Sequence, residues 1–291
     1  MHLPFQKITF ENKDFIVMRD DLNHPIFSGN KARKLAYLLN NPNKYSHIKT
    51  IVSFGGNQSN FMLALSQLAK LNNWNFHYWI KPLPSFLKQN KNGNLKLALE
   101  NSMLLFETND ILGLENIQKN YQLNENLYFF DQGGRNYLAE EGIAECAQEI
   151  KKYCQNNRIE SYSVVVASGT GTTALYLEKY LPNRVYTVPC VGDSEYLKKQ
   201  FRDIDENLNH PKILEKNFKT AFGQLDIKNF KIYKQLLEQT NIEFDLLYDP
   251  ITWRTLITNY ELLPKPIIYI HCGGISGNQT MLARYKRQIS A

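Results

Sequence analysis

The sequence predicts an α/β protein whose open, mostly parallel sheets carry helices on their faces. Three observations predict it. Four segments repeat one order: a short β-prone run, a glycine-containing loop, then a helical pattern. The third of them runs directly into a further β-prone stretch, "RVYTVPCVG", as a right-handed βαβ crossover requires. With 291 residues, the chain can bury the core of one large or two medium domains.

In chain order, "FSGNKARKLAYLL" (27–39) turns from loop to helix at Lys31, because Leu35, Leu38 and Leu39 recur at helical spacing. A lysine there opposes the positive end of the helix dipole. Taken alone, Lys31, Arg33 and Lys34 read as a solvated basic face. "KTIVSFGGNQSNFMLALSQLAKLNN" reads as strand, loop and helix, "KPLPSFLKQNKNGN" as a loop, and "NLKLALENSMLLFET" as a helix running into a strand. "NLYFFDQGGRNYLAEEGIAECAQEIKKY" and "YSVVVASGTGTTALYLEKYL" repeat the strand–loop–helix order, the latter with a buried strand ending at Ala167. Residues 193–240 read as polar and mostly helical, with "LKKQFRDIDENL" and "KNFKIYKQLLEQT" as amphipathic pieces covering a sheet. "KPIIYIHCGGISGNQTMLARYKRQI" is the last repeat.

Composition narrows the function classes. Hydrophobic content of 43% with 21% charged residues is that of a soluble globular chain. "MHLPFQKITFENKDF" has no basic region followed by a long apolar run, and no stretch approaches the ~20 apolar residues of a membrane helix, so a cytoplasmic protein is expected. Cys146, Cys154, Cys190 and Cys272 form no CxxC pair and read as reduced thiols. The +6 charge is spread along the chain, which favours anionic ligands and predicts neither a nucleic-acid nor a membrane partner.

The loop from Ser168 to Thr173 precedes a helix, where backbone amides bind anions and glycine permits close approach. It is not a Walker A loop. Gly169, Gly171 and Ala174 fit GxGxxA with Asp193 about twenty residues on, as in a dinucleotide site. Thr170, Thr172 and Thr173 instead suit a terminal monophosphate, and a plain structural turn is the third reading. In GGNQSN (55–60), Asn57 or Ser59 alone reads as a helix cap, whereas Gln58, Ser59 and Asn60 in succession read as a binding loop. His271 reads as a core histidine, and with no second ligand at a recognised spacing no metal site is expected.

Together these residues resemble a family. "RDDLNHPIFSGNKARKLAYLL" is similar to the lysine segment of pyridoxal-phosphate enzymes of the 1-aminocyclopropane-1-carboxylate deaminase and D-cysteine desulfhydrase family. GGNQSN resembles that family's GGxQSN, "DQGGRNYLAEEGIAECAQEI" its EGGSN segment, SGTGTT its phosphate loop, and HCGG its HTGG, in order along nearly the whole chain. The resemblance implies the fold-type-II architecture, with a large cofactor domain (1–44 and 139–291) and an inserted small domain (45–138). It implies pyridoxal 5'-phosphate, held covalently by Lys31 and contacted by Asn60, Gly169, Thr170, Gly171, Thr172, Thr173 and Cys272. Ser59 is implied as a second catalytic residue near the substrate carboxylate, with Asn57, Gln58 and Thr252 also at the substrate, and the chain as a homodimer. A lysine at a helix N-terminus in a desolvated pocket has a lowered pKa and is more often a neutral amine.

One motif departs. The family's DPVYxGK is matched to "YDPITWRTL", which puts Thr252 in place of the tyrosine, Trp253 in place of its neighbour, and Arg254 and Thr255 in place of the glycine and lysine. A threonine cannot do the acid–base work of a phenol. The expected reaction is therefore β-elimination from D-cysteine or a related amino acid, giving pyruvate, ammonia and sulfide. Cyclopropane deamination is the alternative within that chemistry, and a non-catalytic cofactor- or amino-acid-binding protein the alternative from another class. Lys31→Ala is expected to abolish cofactor attachment and Lys34→Ala to do little.

Overall fold

The computed structural model describes residues 4–24, 27 and 29–290; Ser28, which opens SGNK, lies outside them. Strands β1 (Phe5–Phe10) and β2 (Lys13–Met18) form an antiparallel hairpin. Glu11 and Asn12 turn it with φ of 50° and 58°, as a two-residue hairpin turn requires. Without the glycine that usually marks such a turn, the sequence reading passed over it.

Helix α1 (Asn30–Leu39) leads into β3 (Thr50–Phe54), α2 (Asn60–Asn72), β4 (Asn75–Ile80), α3 (Ser85–Gln89), α4 (Gly93–Glu100), β5 (Met103–Glu107), α5 (Leu114–Gln118) and β6 (Leu127–Phe129). The strands form a parallel sheet in the order β5-β4-β3-β6. Ile51, Phe76 and Tyr78 from it pack with Leu35 and Leu38 of α1, Leu65 of α2 and Leu95 of α4. Helix α3 occupies a stretch that the sequence predicts as loop; it is a single short turn with no buried residue, so no apolar periodicity announces it.

The chain continues through α6 (Glu140–Asn156), β7 (Ser163–Ser168), α7 (Thr172–Tyr180), β8 (Val185–Pro189), α8 (Ser194–Ile204), β9 (Lys212–Ile213), α9 (Ile227–Thr240), α10 (Asp249–Thr258), β10 (Ile267–Ile270) and α11 (Asn278–Ser290). The second sheet has the order β1-β2-β10-β7-β8-β9, parallel except for the β1–β2 edge. Val164 and Val166 face Ile143, Ala147 and Leu175, while Val165 between them faces Trp253 and Leu256. Burial on both faces is why that strand reads as a continuous apolar run. Helices α8 and α9 match the two amphipathic pieces, but the residues between them hold only the two-residue β9 and irregular chain. Among the described residues no helix is long and apolar enough to cross a membrane.

Candidate active site

The loops after β3, β6, β7 and β10 meet the first turn of α1 and the start of α10 around a cavity of about 440 Å³. Ligands of open α/β sheets gather at such carboxyl ends, and this volume suits a small-molecule ligand. Lys31 projects into it from the first turn of α1, which holds no acidic residue. Its Nζ donates to Asn30 Oδ1 at 2.6 Å. Burial pulls its pKa below the ordinary lysine value, against the pull of Cys272 and Asp245. Gly29 sets this start: its φ is +60°, and a Cβ there would lie 1.8 Å from the Cys272 carbonyl oxygen.

The basic face predicted around Lys31 is not solvated. Arg33 and Lys34 are both buried. Arg33 donates to Asp20 Oδ1 at 2.9 Å and to Glu149 Oε2 at 2.7 Å. Lys34 lines the cavity, donating from Nζ to the Gly133 carbonyl at 2.8 Å and toward Thr170 Oγ1 at 3.5 Å. Burial, then repulsion from Lys31, lowers its pKa well below the usual value. Lys34 is thus a cavity residue and no bystander. The i, i+3 spacing that puts it on the face of Lys31 was the available signal.

Asn57, Gln58, Ser59 and Asn60 all line the cavity. Ser59 is also the cap of α2, accepting from the amides of Phe61 and Met62 at 3.2 and 3.3 Å. Gln58 is tied to α4, donating to the Asn92 carbonyl at 3.1 Å and accepting from the Asn94 amide at 3.0 Å. Asn60 Oδ1 accepts from Asn94 Nδ2 at 2.7 Å.

Gly169, Thr170, Gly171, Thr172 and Thr173 line another wall, at the N-terminus of α7. Gly171 has φ +77°, and a Cβ there would come within 2.6 Å of Phe201, so only glycine makes the turn. Asp193, the residue that a dinucleotide reading would use, is instead the cap of α8, accepting from the Tyr196 amide at 2.8 Å. Cys272 lines the cavity beside Lys31, and burial raises its thiol pKa. His271 is a core histidine, stacked on Phe244 and bonded from Nε2 to the Glu243 carbonyl at 2.8 Å.

Thr252 requires a correction. It is fully buried, does not line the cavity, and donates to the Tyr248 carbonyl at 3.0 Å beside Cys190. The residues of this segment that line the cavity are Asp245, Leu247, Tyr248 and Asp249. The tyrosine followed by an acid is therefore "DLLYD" (245–249), four residues earlier than the sequence match placed it. The cavity meets only the start of α10 at Asp249, and Thr252 lies a turn further along the helix, bonded back to the Tyr248 carbonyl. Burial, then Asp245, keeps the Tyr248 phenol protonated well beyond its usual range.

Asp245 Oδ1 accepts from the Leu247 and Tyr248 amides, both at 2.7 Å. The buried Oδ2 makes no hydrogen bond of good geometry among the described residues. Burial raises the Asp245 pKa to about 6, against the Tyr248 and Leu247 amides, Lys31 and the Asn60 amide. Asp249 accepts from the Tyr269 hydroxyl and, at 2.8 Å, from the Asp245 amide; burial and Asp245 push its pKa well up. Burial thus favours the protonated form of both carboxyls.

No known family model matches the chain. A Thermotoga maritima protein provisionally named 1-aminocyclopropane-1-carboxylate deaminase is 27% identical over 288 residues, covering 90% of this chain and 88% of its own. The mitochondrial bifunctional D-cysteine desulfhydrase/1-aminocyclopropane-1-carboxylate deaminase of Arabidopsis thaliana is 25% identical over 291 residues, 90% of this chain and 72% of its own. The chain is related to the aminocyclopropane-carboxylate deaminase and D-cysteine desulfhydrase family. Solved structures agree on the fold of such deaminases: a homologue of the aminocyclopropane-carboxylate deaminase superposes with a TM-score of 0.78 at 19% identity, over 97% of this chain and 94% of its own. A hydrogen sulfide-producing enzyme of Fusobacterium nucleatum gives 0.63 at 16% identity, over 94% and 96%. The architecture is that of the fold-type-II pyridoxal-phosphate enzymes, which the deaminase and desulfhydrase family shares with threonine deaminase.

Proposed function

We propose that the protein is a pyridoxal-phosphate-dependent lyase or deaminase of a small amino acid. The observation that carries this is the placement of Lys31, low in pKa, in one cavity with the Gly169–Thr173 loop at a helix N-terminus. The residues fit the cofactor. The loop offers amides and three threonine hydroxyls to a phosphate, and Lys34 Nζ, bonded toward Thr170, is a further donor on that wall. Asn60, Cys272 and Asp249 line the same space, where they would meet the ring. When bound, the cofactor supplies an electron-accepting ring that stabilises the carbanion left by loss of the Cα proton.

Lys31 Nζ, whose pKa burial lowers, would hold the cofactor and serve as the base for the Cα proton. The α2 N-terminus, with Asn57 to Ser59, meets the substrate carboxylate. Tyr248, kept protonated, holds a proton that can be given to a departing group. β-Elimination, as in the desulfhydrase relatives, needs only this set. Tyr248 with Asp249 also restores the phenol and acid whose absence argued against ring opening, so cyclopropane deamination is the second reading. Purified, cofactor-loaded protein tests both: pyruvate and sulfide from D-cysteine establish the first, 2-oxobutanoate from the cyclopropane substrate the second. Loading without turnover of any β-substituted amino acid or cyclopropane substrate contradicts both and leaves a binding protein. We further propose a homodimer, carried by the resemblance alone.

A further inference from the structure

Arg284 is a half-buried guanidinium on the cavity wall. Its polar contact is a thioether, Met281 Sδ, at 3.1 Å from Nη1, and among the described residues it forms no ion pair with a carboxylate. Three other charged residues of the cavity have partners: Lys31 bonds Asn30, Lys34 bonds Gly133, and Asp249 bonds Tyr269. A sulfur is a weak acceptor for so strong a donor. The guanidinium is free to take an anion.

Its position in the cavity follows from helix α11. Thr280, Met281 and Arg284 of α11 all line the cavity, at i, i+1 and i+4 and so toward one side of the helix, as does Gly277 in the turn just before it. A Cβ on Gly277 would lie 3.8 Å from Asn60 Oδ1. Thr280 donates to Asn92 Oδ1 at 3.4 Å, and Gln58 donates to the carbonyl of the same Asn92. The face therefore runs along the loop assigned to the substrate, and Arg284 lies one turn beyond Thr280, about 10 Å along the axis from Gly277. The phosphate wall, Thr170 with Gly133 and Lys34, is built from other elements.

We propose that Arg284 determines specificity: it receives a second anionic group on the substrate, a carboxylate, phosphate or sulfonate carried by the side chain. Planar guanidinium groups match such oxyanions with two donors. The inference rests on the function proposed above and names its substrate class, β-substituted amino acids whose leaving group is an anion. For O-phosphoserine the step balances without a redox partner. Lys31 takes the Cα proton, and the Cβ–O bond breaks with its electron pair leaving on phosphate. One water then converts 2-aminoacrylate to pyruvate and ammonium.

The test uses the cofactor-loaded full chain with both stereoisomers of O-phosphoserine and, as the neutral comparison, β-chloroalanine. In Arg284→Ala the ratio of kcat/KM for O-phosphoserine to that for β-chloroalanine is expected to fall about tenfold or more, chiefly through KM, with part of the loss recovered in Arg284→Lys. Calorimetry with aspartate, which carries a side-chain anion and no leaving group, is expected to show the same loss of affinity. A ratio unchanged within about twofold in Arg284→Ala, or aspartate binding independent of Arg284, overturns the proposal. If the wild type fails to turn over either substrate, the reaction assigned above is wrong. Aspartate binding that Arg284→Ala abolishes then still supports the anion site.

Discussion

Lys34 shows what a sequence can and cannot give at the scale of one residue. The spacing of Lys31 and Lys34 was legible, and so was the helix start. That Lys34 is buried depends on Gly133 and Thr170, about a hundred or more positions away, and no local pattern reports such contacts. With a hydrogen-bond donor removed from the phosphate wall, Lys34→Ala is expected to weaken pyridoxal-phosphate affinity by about tenfold, read by fluorescence titration; unchanged affinity contradicts its placement. Arg33 is a different case. Buried between Asp20 and Glu149, it holds α1 against the rest of the chain, and Arg33→Met leaves Asp20 an uncompensated buried charge. A loss of about 3–5 kcal/mol in unfolding free energy is expected, measured by urea denaturation.

At the scale of the element, the start of α10 decides which residues reach the cavity. The motif DPVYxGK and the string YDPITW share Asp-Pro, and matching on those letters shifts the register by four. The physical alternative, Asp245 capping its own turn through the Leu247 and Tyr248 amides so that Tyr248 and Asp249 face inward, needs the backbone. Two variants separate the registers. Tyr248→Phe is expected to lower kcat about a hundredfold if the phenol moves a proton. Thr252→Val removes the buried hydrogen bonds to the Tyr248 carbonyl and Cys190 and is expected to cost about 1–2 kcal/mol of stability. Kinetics that respond to Thr252 more than to Tyr248 would restore the other register.

At the scale of the molecule, two parallel sheets and their order of helices were readable because each strand–loop–helix repeat carries its own apolar run. The β1–β2 hairpin and the chain between α8 and α9 were not, since neither has a glycine turn or a sustained period. The cavity these sheets make also gives the chain a pH signature. Burial raises the folded pKa of Asp245 to about 6, above the ~3.9 of an unfolded aspartate. Its contribution to stability is therefore complete at low pH and lost as pH rises through 6. Asp245→Asn keeps an oxygen for the two amides. It is expected to gain on the wild type between pH 4 and pH 7, by on the order of 2–3 kcal/mol; a constant difference across that range contradicts the buried neutral acid. The account as a whole turns on one nitrogen, and borohydride reduction of the pyridoxal-phosphate-loaded protein followed by peptide mass mapping reads it directly. The account predicts one pyridoxyl group on Lys31, absent from Lys31→Ala; a pyridoxyl group on Lys34 or any other lysine contradicts it.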